Sequence, residues 1–200
     1  MKKIVLILFL IALHVANAKE MTLLFLGDSL TEGLGVAKED AFPRHVEHLI
    51  QKELHKSVLV INGGVSGSTT SDGLARLKWY LKKNPSLVFL ALGANDGLRG
   101  LNLTQSQKNL EEIIVYAQEA KATVLLAGML IPPNYGQAYG EQFKKMYEEI
   151  GIKYHLKSMP FLLEGVAGNE AFNQRDGIHP NEQGHQVIAR NVFEFIKEAL

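Results

Sequence analysis

Four short blocks carry residues whose types and spacing suit acyl transfer. They are Gly27-Asp28-Ser29-Leu30, Val65-Ser66-Gly67, Gly93-Ala94-Asn95-Asp96 and Asp176-Gly177-Ile178-His179-Pro180. A serine hydroxyl is a weak nucleophile at neutral pH and needs an adjacent base to take its proton. His179 is the candidate base for Ser29, set in a turn stiffened by Pro180 where a helix begins. Asp176, three residues earlier, can orient the imidazole and stabilise its charged form. The tetrahedral oxyanion of such a reaction needs preorganised donors. The backbone N–H groups of Ser29 and Gly67 and the side-chain amide of Asn95 are the candidates.

Taken singly, each block has a plainer reading. Asp28 and Ser29 are favoured helix caps. Gly67 suits a turn that needs a positive φ. Asn95 and Asp96 bond their own backbone in many loops, and a lone D-x-x-H also describes a capped surface turn. His45, His48, His55, His155 and His185 have no comparable surroundings and are expected to be solvent-facing or structural. What favours a site is where the surrounding elements must put these blocks.

Apolar runs at 23–26, 57–61, 87–92 and 123–130 lack polar alternation, as strands covered on both faces do. A shorter run at 159–163 contains Pro160 and reads as a fifth strand at an edge. Gly27 ends the first run and Asn62-Gly63-Gly64 the second. Between the strands, apolar residues recur at helical spacing. Phe42, Val46, Leu49, Ile50 and Leu54 form one stripe, and Leu74, Leu77 and Leu81 a second behind the caps Ser71 and Asp72. Leu110, Ile113, Ile114 and Ala117 follow Thr104 as cap, and a further helix is expected near 142–150. Val187, Ile188, Val192, Phe195 and Ile196 follow Asn181 as cap. Strand and helix thus alternate five times, which predicts an α/β fold with a parallel sheet covered by helices on both faces. Right-handed crossovers bring the carboxyl ends of all the strands to one edge. Ser29, Gly67, Asn95 and the Asp176–His179 turn then share the rim where open α/β sheets bind their ligands.

Two hundred residues with 46% hydrophobic content suit one domain with a sizeable core. The formal charge is zero and no basic cluster marks a nucleic-acid surface. No cysteine is present, which excludes disulfides, thiolate metal sites, a cysteine nucleophile and a lipidated cysteine. The amino terminus reads as a signal peptide over residues 1–18. Lys2 and Lys3 precede an apolar stretch at 4–15, shorter than the roughly 20 residues of a membrane span, and Ala16-Asn17-Ala18 offers a cleavage site. Cleavage after Ala18 leaves residues 19–200 as a single exported domain, periplasmic or secreted, with no stable membrane anchor.

In order and over nearly the whole mature chain, the four blocks resemble those of the SGNH (GDSL) hydrolases. Asn95-Asp96-Gly97-Leu98-Arg99-Gly100 and Pro132-Pro133-Asn134-Tyr135-Gly136 look most like the small periplasmic thioesterase/lysophospholipase/arylesterase branch. The resemblance implies a three-layer, flavodoxin-like α/β/α fold with a five-stranded parallel sheet. It further implies Ser29, Asp176 and His179 as catalytic residues and Ser29, Gly67 and Asn95 as the oxyanion hole. Residues 97–101 are similar to a mobile loop that borders the acyl site in that branch. Ala94 stands where the branch usually has glycine, and Ser68 where it usually has aspartate. The commoner α/β-hydrolase elbow, G-x-S-x-G, is not met, because Thr31 takes the place of its second glycine.

The expected activity is hydrolysis of carboxylic esters and thioesters, of the arylesterase, lysophospholipase or acyl-CoA thioesterase type, through an acyl-enzyme on Ser29. No cofactor and no metal is expected, and the partner is a small-molecule acyl ester, thioester or lysophospholipid met by a monomer. Leu98, Leu101, Ile131 and Ile178 near the rim favour acyl chains over the alternative of a carbohydrate O-acetylesterase. A non-catalytic, flavodoxin-like binding protein leaves the Asp176–His179 pair unexplained and has no dinucleotide fingerprint after the first strand. A metal-dependent phosphoesterase using Asp28, Asp96, Asp176 and His179 is a further alternative.

Overall fold

The computed structural model describes residues 21–200. The expected signal peptide at 1–18 and its cleavage point lie outside the described residues. Five parallel strands, β1 (Met21–Gly27), β2 (Val58–Gly64), β3 (Leu87–Ala91), β4 (Thr123–Ala127) and β5 (Lys157–Met159), form one sheet in the order β2-β1-β3-β4-β5. Every residue of β3 is buried, as are all but the first of β1, which is why neither sequence alternates. Seven helices are described: α1 (Ser29–Glu32), α2 (Phe42–Leu49), α3 (Thr70–Tyr80), α4 (Ala94–Leu98), α5 (Leu103–Glu119), α6 (Gln137–Lys153) and α7 (Glu182–Ile196). Helix α2 packs on α7, while α3 packs on α5 and α5 on α6, giving the two outer layers. The expected α/β architecture with a five-stranded parallel sheet is the one observed.

The chain leaves β1 towards β2 on one side and returns to β3 on the other. The switch of direction therefore falls between the carboxyl ends of β1 and β3, where Ser29 and Asn95 emerge. Phe25 anchors the layer beneath, edge-on to Phe42 of α2 at 5.4 Å and against Phe89 of β3 at 5.3 Å. Burying such side chains contributes about 2 kcal/mol each, and the aromatic pairing adds orientation.

Several boundaries differ from the expected ones. Asn62-Gly63-Gly64 does not stop β2 but completes it, with Gly27 paired to Gly64. A Cβ on Gly64 would lie 2.1 Å from the Glu32 nitrogen, so glycine there lets α1 pass over the strand end. The fifth strand ends at Met159 instead of starting there, because Pro160 has no N–H to extend the ladder. Helix α5 is capped by Asn102, which accepts from Gln105 N, and not by Thr104. Helix α3 begins at Thr70, without a side-chain cap of its own, ahead of Ser71 and Asp72. Asn95 lies on the short helix α4, where a loop is expected from sequence. Asn181 caps α7 as expected, accepting from Gly184 N at 3.0 Å. Among the described residues no helix is long and apolar enough to cross a membrane.

Candidate active site

The nucleophile candidate sits at the first residue of α1, directly beyond the end of β1. Ser29 is buried apart from its mouth onto a cavity. As the first helical residue its backbone N–H has no acceptor within the helix. Asp28 caps the turn, its Oδ1 accepting from Leu30 N at 3.0 Å. Burial pushes the Asp28 carboxyl up to about 6, against the opposing pull of the Leu30 N–H and Arg76.

His179 comes from the other end of the chain, 150 residues away, and places Nε2 2.9 Å from Ser29 Oγ. Its Nδ1 lies 2.7 Å from Asp176 Oδ2. Asp176 Oδ1 accepts from the backbone N–H of both Ile178 and His179 at 3.0 Å, so the three-residue spacing folds the aspartate back onto its own turn. Burial opposes ionisation of Asp176, but the backbone N–H of His179, the His179 ring and the N–H of Ile178 together hold its carboxyl at about 2. An ionised carboxylate can only accept, so the hydrogen on Nδ1 points to Asp176 and Nε2 is left to accept from Ser29.

Gly67 and Asn95 enter from the ends of β2 and β3. Gly67 adopts φ +77°, in the left-handed region, in a turn closed by Ser68 N donating to Val65 O. Asn95 Nδ2 donates to Ser68 O at 2.9 Å, which uses one of its two amide hydrogens and ties it to the residue after Gly67. Arg99 Nη2 donates to Gly67 O at 3.0 Å. All five residues expected at the site from sequence therefore converge on one rim.

A cavity of about 470 Å³ opens beside Ser29 and His179. Leu98, Met129, Ile131, Phe161, Leu163 and Ile178 supply much of its apolar wall. Leu98, Ile131 and Ile178 are where sequence placed them, whereas Leu101 is not part of the wall.

Three residues support the site from outside it: from sequence Asp96 reads as a loop residue, Arg76 is not singled out and His185 reads as solvent-facing or structural. Asp96 is not a loop residue bonding its own backbone. It is a buried carboxylate that accepts from Thr70 N, Thr70 Oγ1 and Ser106 Oγ at 2.9, 2.6 and 2.7 Å. Arg76 reaches the ends of β1 and β2 from α3. His185 is buried, and its Nδ1 accepts from Phe42 N at 3.3 Å, so among the two expected roles it is structural. The adjacency of Asp96 to Asn95 was the only signal available for the first; the partners of the other two are distant in sequence. Among the described residues no group of three or more His, Asp or Glu side chains could hold a metal ion.

Residues 25–187 match the GDSL-like Lipase/Acylhydrolase family. The chain is 38% identical to Esterase TesA of Pseudomonas aeruginosa, over 92% of both chains. It is 37% identical to Thioesterase 1/protease 1/lysophospholipase L1 of Escherichia coli K12, over 91% of this chain and 86% of that one. The crystal structure of TesA superposes with a TM-score of 0.87 at 37% identity, covering 90% of this chain and all of the other. With the four blocks meeting on one rim and the match running through all of them, the chain belongs to the GDSL-like lipase/acylhydrolase family, the SGNH hydrolases.

Proposed function

We propose that the protein hydrolyses carboxylic esters and thioesters through an acyl-enzyme on Ser29. The observation that carries this reading is the continuous hydrogen-bonded line from Ser29 Oγ through His179 to Asp176, at 2.9 and 2.7 Å. Ser29 Oγ bonds to the substrate carbonyl carbon while His179 Nε2 takes the hydroxyl proton. The carbonyl π electrons move to oxygen, where the N–H groups of Ser29 and Gly67 and the free amide hydrogen of Asn95 receive the charge. Collapse expels the alkoxide or thiolate, which takes the proton from His179. Water then attacks the acyl-enzyme by the same sequence and returns Ser29 to its free form.

The apolar wall beside Ser29 supports an acyl chain in preference to an acetyl group, because a two-carbon acyl would leave most of that surface without a partner. The substrate is accordingly a small amphiphile with an ester, thioester or lysophospholipid head. Lys2-Lys3, the apolar stretch and Ala16-Asn17-Ala18 support export, with the released domain acting as an unanchored monomer.

The test is hydrolysis of p-nitrophenyl esters from acetate to palmitate by wild type and Ser29→Ala. The expected result is a rate that rises from acetate to a medium or long chain and falls by several powers of ten in the variant. Activity confined to acetate would establish the deacetylase reading instead. A fully active Ser29→Ala protein would remove Ser29 as nucleophile.

A further inference from the structure

We propose that Arg76 is a positioning residue for the oxyanion hole, holding the nucleophile turn and the Gly67 loop at a fixed spacing through one guanidinium. The proposal rests on the roles given above to Ser29, Gly67 and Asn95.

Arg76 lies on α3, and its side chain is only 16% exposed. Nη1 donates to Gly27 O at 2.9 Å and to Gly63 O at 2.7 Å, the last carbonyl of β1 and the last but one of its neighbour β2. Gly27 immediately precedes Asp28-Ser29, so this bond bears on the turn that presents the nucleophile. Nη2 donates to Ser68 Oγ at 2.6 Å, and Ser68 immediately follows Gly67. Its countercharge is Asp72, one turn earlier on the same helix, with Oδ1 at 3.3 Å from Nη2.

Ser68 couples the two charges. Its buried hydroxyl donates its only hydrogen to Asp72 Oδ1 and accepts from Arg76. Its carbonyl accepts from Asn95 Nδ2. Ser68 is thus held from both sides, and the Gly67 peptide before it has little freedom to rotate. That matters because Gly67 has no side chain of its own to fix a left-handed turn. The carboxylate stands four residues after Ser68, on Asp72, and Ser68 hands its influence on to Arg76. A lysine would place one point charge where the forked guanidinium spans four acceptors, so the role is specific to arginine.

A positioning role differs from plain support of the fold in what it does to tetrahedral species. An alkyl trifluoromethyl ketone reports on this directly. Ser29 Oγ adds to its carbonyl, the carbonyl electrons move to oxygen, and the proton passes to His179, leaving a hemiketal oxyanion in the hole. The full chain is prepared as wild type, Arg76→Lys, Ser68→Ala, Asp72→Asn and Ser68→Asp/Asp72→Asn. For each, kcat and KM for p-nitrophenyl butyrate, Ki for the ketone and the melting temperature are measured.

The expected loss in kcat is about tenfold to a hundredfold for Arg76→Lys and less for Ser68→Ala, below the full cost of deleting an oxyanion donor. KM should stay within about twofold and Ki should rise in proportion to the fall in kcat. Ser68→Asp should restore the Asp72→Asn protein, by putting a carboxylate directly on the guanidinium. Unchanged kcat in Arg76→Lys and Ser68→Ala overturns the proposal, as does a lower kcat with an unchanged Ki. If Arg76→Lys does not fold, Ser68→Ala and Asp72→Asn decide the matter by the same two readouts. A wild-type enzyme that the ketone does not inhibit would instead overturn the acyl-enzyme reading on which the proposal rests.

Discussion

The carboxylate of Asp96 accepts both the backbone N–H and the hydroxyl of Thr70, at 2.9 and 2.6 Å, across 26 residues of chain. Thr70 is the first residue of α3, a helix without a side-chain cap from its own segment, so the cap comes from the neighbouring α4. Because Gly67 lies three residues before Thr70 and Asn95 directly precedes Asp96, the bond also fixes one oxyanion candidate against the other. Ser106 Oγ donates to the same carboxylate and Asn109 donates to Thr70 Oγ1, which extends the joint into α5.

Asp96→Ala should therefore damage both stability and turnover. It would leave the Thr70 N–H and hydroxyl without their acceptor in a buried place, while Ser106 Oγ falls back on Asn102 O, at a cost of about 3 kcal/mol. Asp96→Asn keeps one acceptor for the Thr70 N–H, and the hydroxyls can turn to receive its amide hydrogens, so it should recover most of that loss. Urea unfolding checks the first expectation. A kcat that stays low in Asp96→Asn after stability has returned would locate the remaining effect in the oxyanion loops.

The catalytic candidates were legible in the sequence, and their supports were not, for a physical reason. Ser29, Asp176 and His179 are recognisable by residue type and by short spacings, and strand ends give their placement. Asp96 and Arg76 act through partners on other segments: Thr70 and Ser106 for one, Gly27, Gly63 and Ser68 for the other. Such pairings depend on how helices pack over the sheet, which hydrophobic periodicity does not specify. The same holds for boundaries. Gly63 and Gly64 have the composition of a turn, yet the close passage of α1 requires glycine inside the strand. The apolar run places Pro160 inside the last strand, whereas β5 ends one residue before it, because a proline has no N–H to extend the ladder.

Stability should depend on pH through two buried groups of opposite sign. Burial, with the nearby His45 charge, pushes His185 down to about 4, so in the folded protein it stays neutral over a range where the unfolded chain binds a proton. From an ordinary value of 6.5, its contribution is complete above that pH and is lost as pH falls towards 4, by roughly 3 kcal/mol at most. Asp28 runs the other way. Its raised carboxyl means that the folded state holds the extra proton between 3.8 and about 6, so stability declines as pH rises through that interval. The two slopes largely offset each other in wild type. Asp28→Asn keeps an acceptor for Leu30 N and removes the second slope. Unfolding free energy of that variant should rise more steeply from pH 4 to 6 than that of wild type; parallel curves would show that Asp28 does not titrate there.

Chain-length preference should respond to Ile131, which lines the cavity beside Ser29 and packs near enough to Gly97 that a Cβ there would lie 2.8 Å from its Cδ1. Ile131→Trp fills part of the cavity without touching Ser29, His179 or their hydrogen bonds. An acetyl group needs none of that space, whereas a decanoyl chain depends on it. Displacing two or three methylenes from apolar contact costs about 2 kcal/mol at roughly 0.8 kcal/mol each. This corresponds to about a thirtyfold fall in kcat/KM for the long ester. The acetate ester should be hydrolysed within about twofold of the wild-type rate, since the reacting atoms are undisturbed. Equal losses on acetate and decanoate would mean that the substitution disturbs the site as a whole. No loss on either would move the acyl chain to a different wall of the cavity.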